Sequence, residues 1–195
     1  MNWHWVSLIV LAVVLIVAAI CDLRQGKVFN WLTYPAIVVG LALGAAEGAA
    51  AGQMRETLVN HVLGLGFAFG VLFLAYLMGG MGGGDVKLMA AVGAFLGWHD
   101  WATVHAVFYS FLVAAAVGLI MMIWRGQTRL VLRRLWLAIR ILPVPGATLD
   151  EAVGGGAFRV PFGFAVCVAT VWYLSEEWLG MSLWVGVSRL VTRGG

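Results

Sequence analysis

Residues 79–98 read "GGMGGGDVKLMAAVGAFLGW". Five of the first six are glycine, and Asp85 stands between that run and an apolar segment. Asp85 to Trp98 makes only about 20 Å of helix at 1.5 Å per residue, against a hydrocarbon core of about 30 Å. With Trp98 at one membrane interface, Asp85 falls short of the other and lies within the membrane's depth. An ionisable residue at that depth is a functional candidate by default. The plainer reading makes Asp85 an N-cap, since aspartate is favoured there and its charge suits the helix dipole. The glycines before it are expected as irregular backbone, tolerated at that depth only beside protein or a wet cavity.

The rest of the chain supplies the membrane context. Of 195 residues, 63% are hydrophobic and 11% charged, far below the quarter or so of charged residues in soluble domains. Apolar segments run roughly 3–21, 32–51, 59–78, 86–98, 102–124 and 160–179. Short strand alternation, the mark of a barrel, does not occur. The expected fold is therefore all-α, a polytopic membrane protein with about six transmembrane helices in one domain, 1–195. The N-terminal run has no Lys or Arg before it and is expected to be a retained span rather than a signal peptide.

Charge sets the orientation. With the N-terminus outside, nine of the 12 Lys and Arg residues fall on the cytoplasmic side. Arg55, Arg189 and Arg193 fall on the other. Trp3, Trp5, Trp98 and Trp101 then mark the outer interface, and Trp31 and Trp124 the inner one. In the cytoplasmic loop 125–159, Arg129, Arg133 and Arg140 share a helical arc with apolar residues between them. That pattern suggests an amphipathic helix on anionic lipid, or simply a topogenic arginine cluster.

This topology sorts the acids. Asp22 ends the first span and Asp85 precedes the fourth, both on the inner side; Glu47, Glu56, Asp100, Glu176 and Glu177 lie at or beyond outer ends. Two like carboxylates at close range share a proton, so one acts as base and the other as acid. Such a pair hydrolyses an amide through water. Gly82, Gly83 and Gly84 would admit a substrate backbone and strand-like hydrogen bonds. Lys87 would tune the local field or snorkel to the interface.

Other chemistries find little support. His4, His61, His99 and His105 all sit near the outer side, and there is no HExxH or GxSxG motif. Cys21 and Cys167 have no metal spacing and read as buried small hydrophobes. No cofactor and no nucleic-acid partner are expected.

At these residues the chain resembles the type IV prepilin peptidases, GxGD aspartic membrane proteases of bacteria. Gly82, Gly84 and Asp85 fill GxGD, followed by Lys87, Leu88 and Gly93. "CDLRQGKVFNWLTYP" (21–35) is similar to the family's first motif, with Asp22, Asn30, Leu32 and Thr33 matching and Phe29 where many members have proline. Pro161, Phe162 and Gly163 resemble the entry to its last span. The resemblance implies that Asp22 and Asp85 are catalytic, with Gly82, Gly83, Gly84, Asn30 and Lys87 near the substrate. It also implies removal of a basic leader from prepilins or pseudopilins at the cytoplasmic face of the bacterial inner membrane. Asp22 follows the first span directly and no CxxC pair occurs. The chain therefore looks like the short members serving Flp-type pili, which argues against methyl transfer. The competing readings are a small transporter or channel subunit coupling ions through the two aspartates, and a non-catalytic membrane partner in pilus assembly.

Overall fold

The computed structural model describes residues 3–79, 81–126 and 160–179, with side chains of the last helix to 175. The expected amphipathic helix of the 125–159 loop, with Asp150 and Glu151, lies outside the described residues. The described elements are α1 (Trp3–Gln25), α2 (Asn30–Ala50), α3 (Met54–Leu77), α4 (Gly83–Leu96), a 3-10 turn (His99–Trp101), α5 (Ala102–Trp124) and α6 (Phe162–Leu179). No strand occurs among the described residues.

Trp3–Gln25, Asn30–Ala50, Met54–Leu77 and His99–Trp124 are each long and apolar enough to cross a membrane. Helix α4, with 14 residues, and α6, with 18, are shorter. Large apolar side chains face outward along the bundle: Val38 is 66% exposed, Leu74 63% and Ile123 64%. A water-soluble surface does not carry apolar area on this scale, and hydrocarbon accepts it. The protein is an all-α polytopic membrane protein.

Successive helices alternate in direction. The C-terminus of α1, the start of α2 and the starts of α4 and α6 meet at one end, here the site end, through Asp22–Gly163, Gly84–Val28 and Lys87–Asn30 contacts. The far end holds the α2–α3 and α4–α5 turns. Trp98 and Trp101 lie there with ring centroids 5.4 Å apart and planes tilted by 43°, while Trp31 and Trp124 are exposed at the site end.

Helix α3 begins at Met54 rather than near 59, and the end of α1 and both ends of α4 also differ from the sequence expectation; the differences at α1 and α4 matter for the site. Helix α1 runs through Asp22 to Gln25 because Leu23, Arg24 and Gln25 are good helix formers. It stops at Gly26, whose φ of 61° is left-handed. The Gly26 amide donates to the Asp22 carbonyl at 2.7 Å, the single bond that closes an αL C-cap. Helix α4 starts at Gly83, so two glycines of the run are helical rather than irregular. It ends at Leu96 because Gly97 has φ 69° and ψ −170°, a conformation open essentially to glycine alone. The Trp98 amide then donates to the Asn60 carbonyl at 3.0 Å. The helix thus spans about 21 Å and does not continue into His99–Trp101.

Helix α4 is the core. Val86 and Leu88 to Phe95 are all buried, as expected of a helix apolar all round. In lipid, close backbone approach replaces the hydrophobic drive between helices. Gly93 of α4 faces Gly64 of α3, and a Cβ on Gly64 would come within 2.6 Å of the Gly93 carbonyl. His61, buried between α2 and α4, joins this seam: its Nδ1–H donates to the Ala94 carbonyl at 2.8 Å, one of the carbonyls that the end of α4 leaves unpaired. Gly93→Ala is expected to lower stability by about 1–3 kcal/mol through overpacking. Gly66→Ala, where a Cβ meets nothing within 4 Å, should raise it by about 0.5–1 kcal/mol through helix propensity. Unfolding midpoints in detergent check both.

Candidate active site

Asp22 lies one turn before the end of α1, at 6% exposure. Leu8, Leu11, Leu15, Ala18 and Asp22 are all buried, and their alternating three- and four-residue spacing puts them on one helix face. The carboxylate therefore continues the stripe that packs inward. Its Oδ2 accepts the Gly163 amide at 2.7 Å and the Phe164 amide at 3.4 Å. Those residues occupy the second and third positions of α6, after Pro161, whose carbonyl accepts the Ala165 amide at 3.2 Å. An N-cap side chain normally serves these two amides. Pro161 has no polar side chain, so the cap comes from another helix.

Asp85 is not the N-cap of α4. That position is Gly82, and Asp85 sits three residues later, in the first turn, where its charge still suits the helix dipole. Its carboxylate folds back over Gly82: a Cβ there would lie 3.1 Å from Oδ2.

The glycine run divides by role. A Cβ on Gly84 would meet the Val28 carbonyl at 2.7 Å, so this glycine lets the α1–α2 turn rest on α4. Gly83 meets only the Tyr76 ring, at 3.7 Å, an ordinary contact.

Asp22, Asp85, Gly82, Gly83 and Gly84 line one cavity of about 1030 Å³, together with Lys27, Val28 and Phe162. Its wall reaches Phe111, Ala114 and Ala115 on α5, roughly 14 to 20 Å along that helix from Trp124. The two carboxylates thus share one partly open cavity at this end of the bundle. Asn30 and Lys87 are not in its lining. Lys87 Nζ donates to Asn30 Oδ1 at 2.8 Å and stands 4.9 Å from the Tyr34 ring centroid, which pins the start of α2 to α4. Among the described residues no cluster of three or more His, Cys, Asp or Glu could hold a metal ion.

Sequence reasoning missed two features. Lys27 lines the cavity without a distinguishing motif. Gly163, singled out only as part of the Pro-Phe-Gly entry to the last span, touches Asp22, a contact that a helix with no capping side chain of its own could have signalled.

Fold and site together define a polytopic membrane protein with a cavity, lined by two aspartates, at one end of its helical bundle. Residues 9–123 match the type IV leader peptidase family, and the chain belongs to that family. It is similar to the prepilin leader peptidase/N-methyltransferase of Burkholderia pseudomallei strain 1026b, 33% identical over 122 residues, covering 61% of this chain and 38% of the relative. The protein of the same description from strain K96243 matches equally. The matched region is thus under two fifths of the length of these relatives. No solved structure gives a significant match.

The cap makes a stability prediction. Asp22→Ala removes it and should cost about 0.5–2 kcal/mol. Asp22→Asn keeps an accepting oxygen and should cost less than half as much. Chemical denaturation in detergent, comparing both variants with the parent, reads the difference.

Proposed function

We propose that this chain is an aspartic endopeptidase that removes the basic leader from type IV prepilins or pseudopilins, with Asp22 and Asp85 as the catalytic pair. The observation that carries the reading is that both carboxylates, one from α1 and one from α4, line one cavity. One carboxylate takes a proton from water as the oxygen attacks the scissile carbonyl carbon. The other, protonated, gives its proton to the amide nitrogen as the C–N bond breaks. The leader leaves with a new carboxyl terminus and the pilin with a new amine.

The neighbours divide the remaining work. Gly83, whose amide belongs to the unpaired first turn of α4, is the position where a substrate backbone approaches. Gly84 and the Asn30–Lys87 bond hold the α1–α2 turn against α4 and so set the cavity wall. Lys27 supplies a cation beside the carboxylates.

Arg24, Lys27, Lys87 and Arg125 all stand at the site end, whereas Glu47, Glu56 and Asp100 stand with Arg55 at the other. That asymmetry supports a cytoplasmic active site in the bacterial inner membrane. With two cysteines, Cys21 and Cys167, both free, and no CxxC pair, the reading assigns cleavage without methyl transfer and a Flp-type substrate.

Two experiments test it. Purified protein incubated with a Flp-type prepilin should release the leader, seen as a defined mass loss. Asp22→Asn and Asp85→Asn should each reduce the rate on the order of 10⁴-fold, as loss of one member of a concerted set does. Wild-type rates in either variant, or no cleavage by the parent, would sink the proposal. Separately, Gly84→Ala should lower both the unfolding midpoint and kcat, while Gly83→Ala raises KM with the midpoint unchanged; steady-state kinetics with thermal unfolding separates them.

A further inference from the structure

We infer that Gly163 is a positioning residue of the catalytic centre: its amide, backed by that of Phe164, fixes Oδ2 of Asp22, and its missing side chain allows α6 to come that close. The inference rests on the reading of Asp22 as catalytic.

Three independent observations support it. The Gly163 amide lies 2.7 Å from Asp22 Oδ2 and the Phe164 amide 3.4 Å. A Cβ on Gly163 would stand 3.1 Å from both Cβ and Oδ2 of Asp22 and 3.3 Å from Cγ. That is tighter than ordinary contact, so a side chain at 163 would push the Asp22 carboxylate toward the cavity that it lines. The entry of α6 is itself anchored, because Phe162 lines the cavity and its ring lies 5.8 Å from that of Phe111 on α5.

A cap for stability alone needs no such arrangement. Serine or asparagine in place of Pro161 would serve the same amides locally. The chain instead enters the helix through proline and directs both amides at a carboxylate that lines the cavity. Two donors on one oxygen restrict rotation about the Cβ–Cγ bond, so the carboxylate meets water and substrate in one orientation. Such orientation acts on the reacting geometry rather than on substrate affinity, and misplacements near 1 Å cost about 10²-fold.

Gly163→Ala tests this in the full chain. Alanine favours the helix, so the variant should fold, with an unfolding midpoint equal to the parent's. Its Cβ displaces the Asp22 carboxylate by a few tenths of an ångström. We expect kcat to fall about 3- to 10-fold with KM changed less than twofold. Gly70→Ala, where a Cβ meets nothing within 4 Å, should leave both parameters unchanged.

A spectroscopic reading does not depend on that variant folding. With ¹⁵N-glycine labelling, the Gly163 amide proton should resonate downfield as a donor to a carboxylate and move upfield in Asp22→Asn. An unchanged kcat in folded Gly163→Ala, or a Gly163 resonance indifferent to Asp22→Asn, overturns the inference. An inactive parent or an active Asp22→Asn overturns instead the reading of Asp22 as catalytic, whatever Gly163 does.

Discussion

A carboxylate buried in a helical membrane bundle needs donors, since an unpartnered polar group there costs several kcal/mol. For Asp22 the donors are backbone amides of α6, 141 residues away in sequence. A hydrogen bond contributes about 0.5–1.5 kcal/mol net, and the first turn of α6 needs an acceptor as much as Asp22 needs donors. The two requirements cancel at one contact, which closes the bundle between its first and last described helices. The cavity exists because that closure places Asp22 at the wall facing the start of α4.

The second carboxylate depends on the length of α4. Gly97 stops the helix at the far end, and the Gly93–Gly64 seam and the His61–Ala94 bond fix its depth. About 21 Å of helix then leaves its first turn, with Asp85, below the site end of its neighbours. Val28 packed over Gly84 and Lys87 bonded to Asn30 tie that turn to the loop that follows Asp22. The two aspartates are thereby referred to the same short loop, residues 26–29, although they belong to different helices.

How much of this the sequence discloses depends on what hydropathy can resolve. Helix number, the apolar runs and the short fourth segment follow from composition, because lipid permits little but helices. The position of Asp85 at the start of that short segment is legible as well. Which face of α1 looks inward does not follow: Leu11 and Leu15 are buried while Ile9, Val13 and Ile16 are exposed, and all are equally apolar. So Asp22 could be placed at the end of a span but not in the wall of a cavity. Boundaries slipped at both sites for local reasons, the αL cap at Gly26 and the helical state of Gly83 and Gly84. One legible signal went unread. Gly40, Gly44 and Gly48 recur every fourth residue and are all buried, the spacing that lets membrane helices touch.

That spacing bears on how a void of about 1030 Å³ survives in a protein with no hydrophobic drive between its helices. The bundle is closed tightly where the chemistry is absent. Gly40 faces Phe95, Gly44 faces His61 and Gly48 faces Thr57, and a Cβ on any of them would come within 2.8 Å of its neighbour. Helices α2, α3 and α4 are therefore joined along the far half. Dispersion contacts there offset those forgone around the cavity. Toward the site end, small residues do the opposite work: Ala114 and Ala115 of α5 line the cavity and leave its width unfilled. The region matching the family, residues 9–123, carries both aspartates and this wedge of helices but stops short of α6. On its own it would leave Asp22 without the Gly163 and Phe164 donors. The geometry of the carboxylate pair is accordingly a property of the assembled bundle, not of the two motifs that carry the acids.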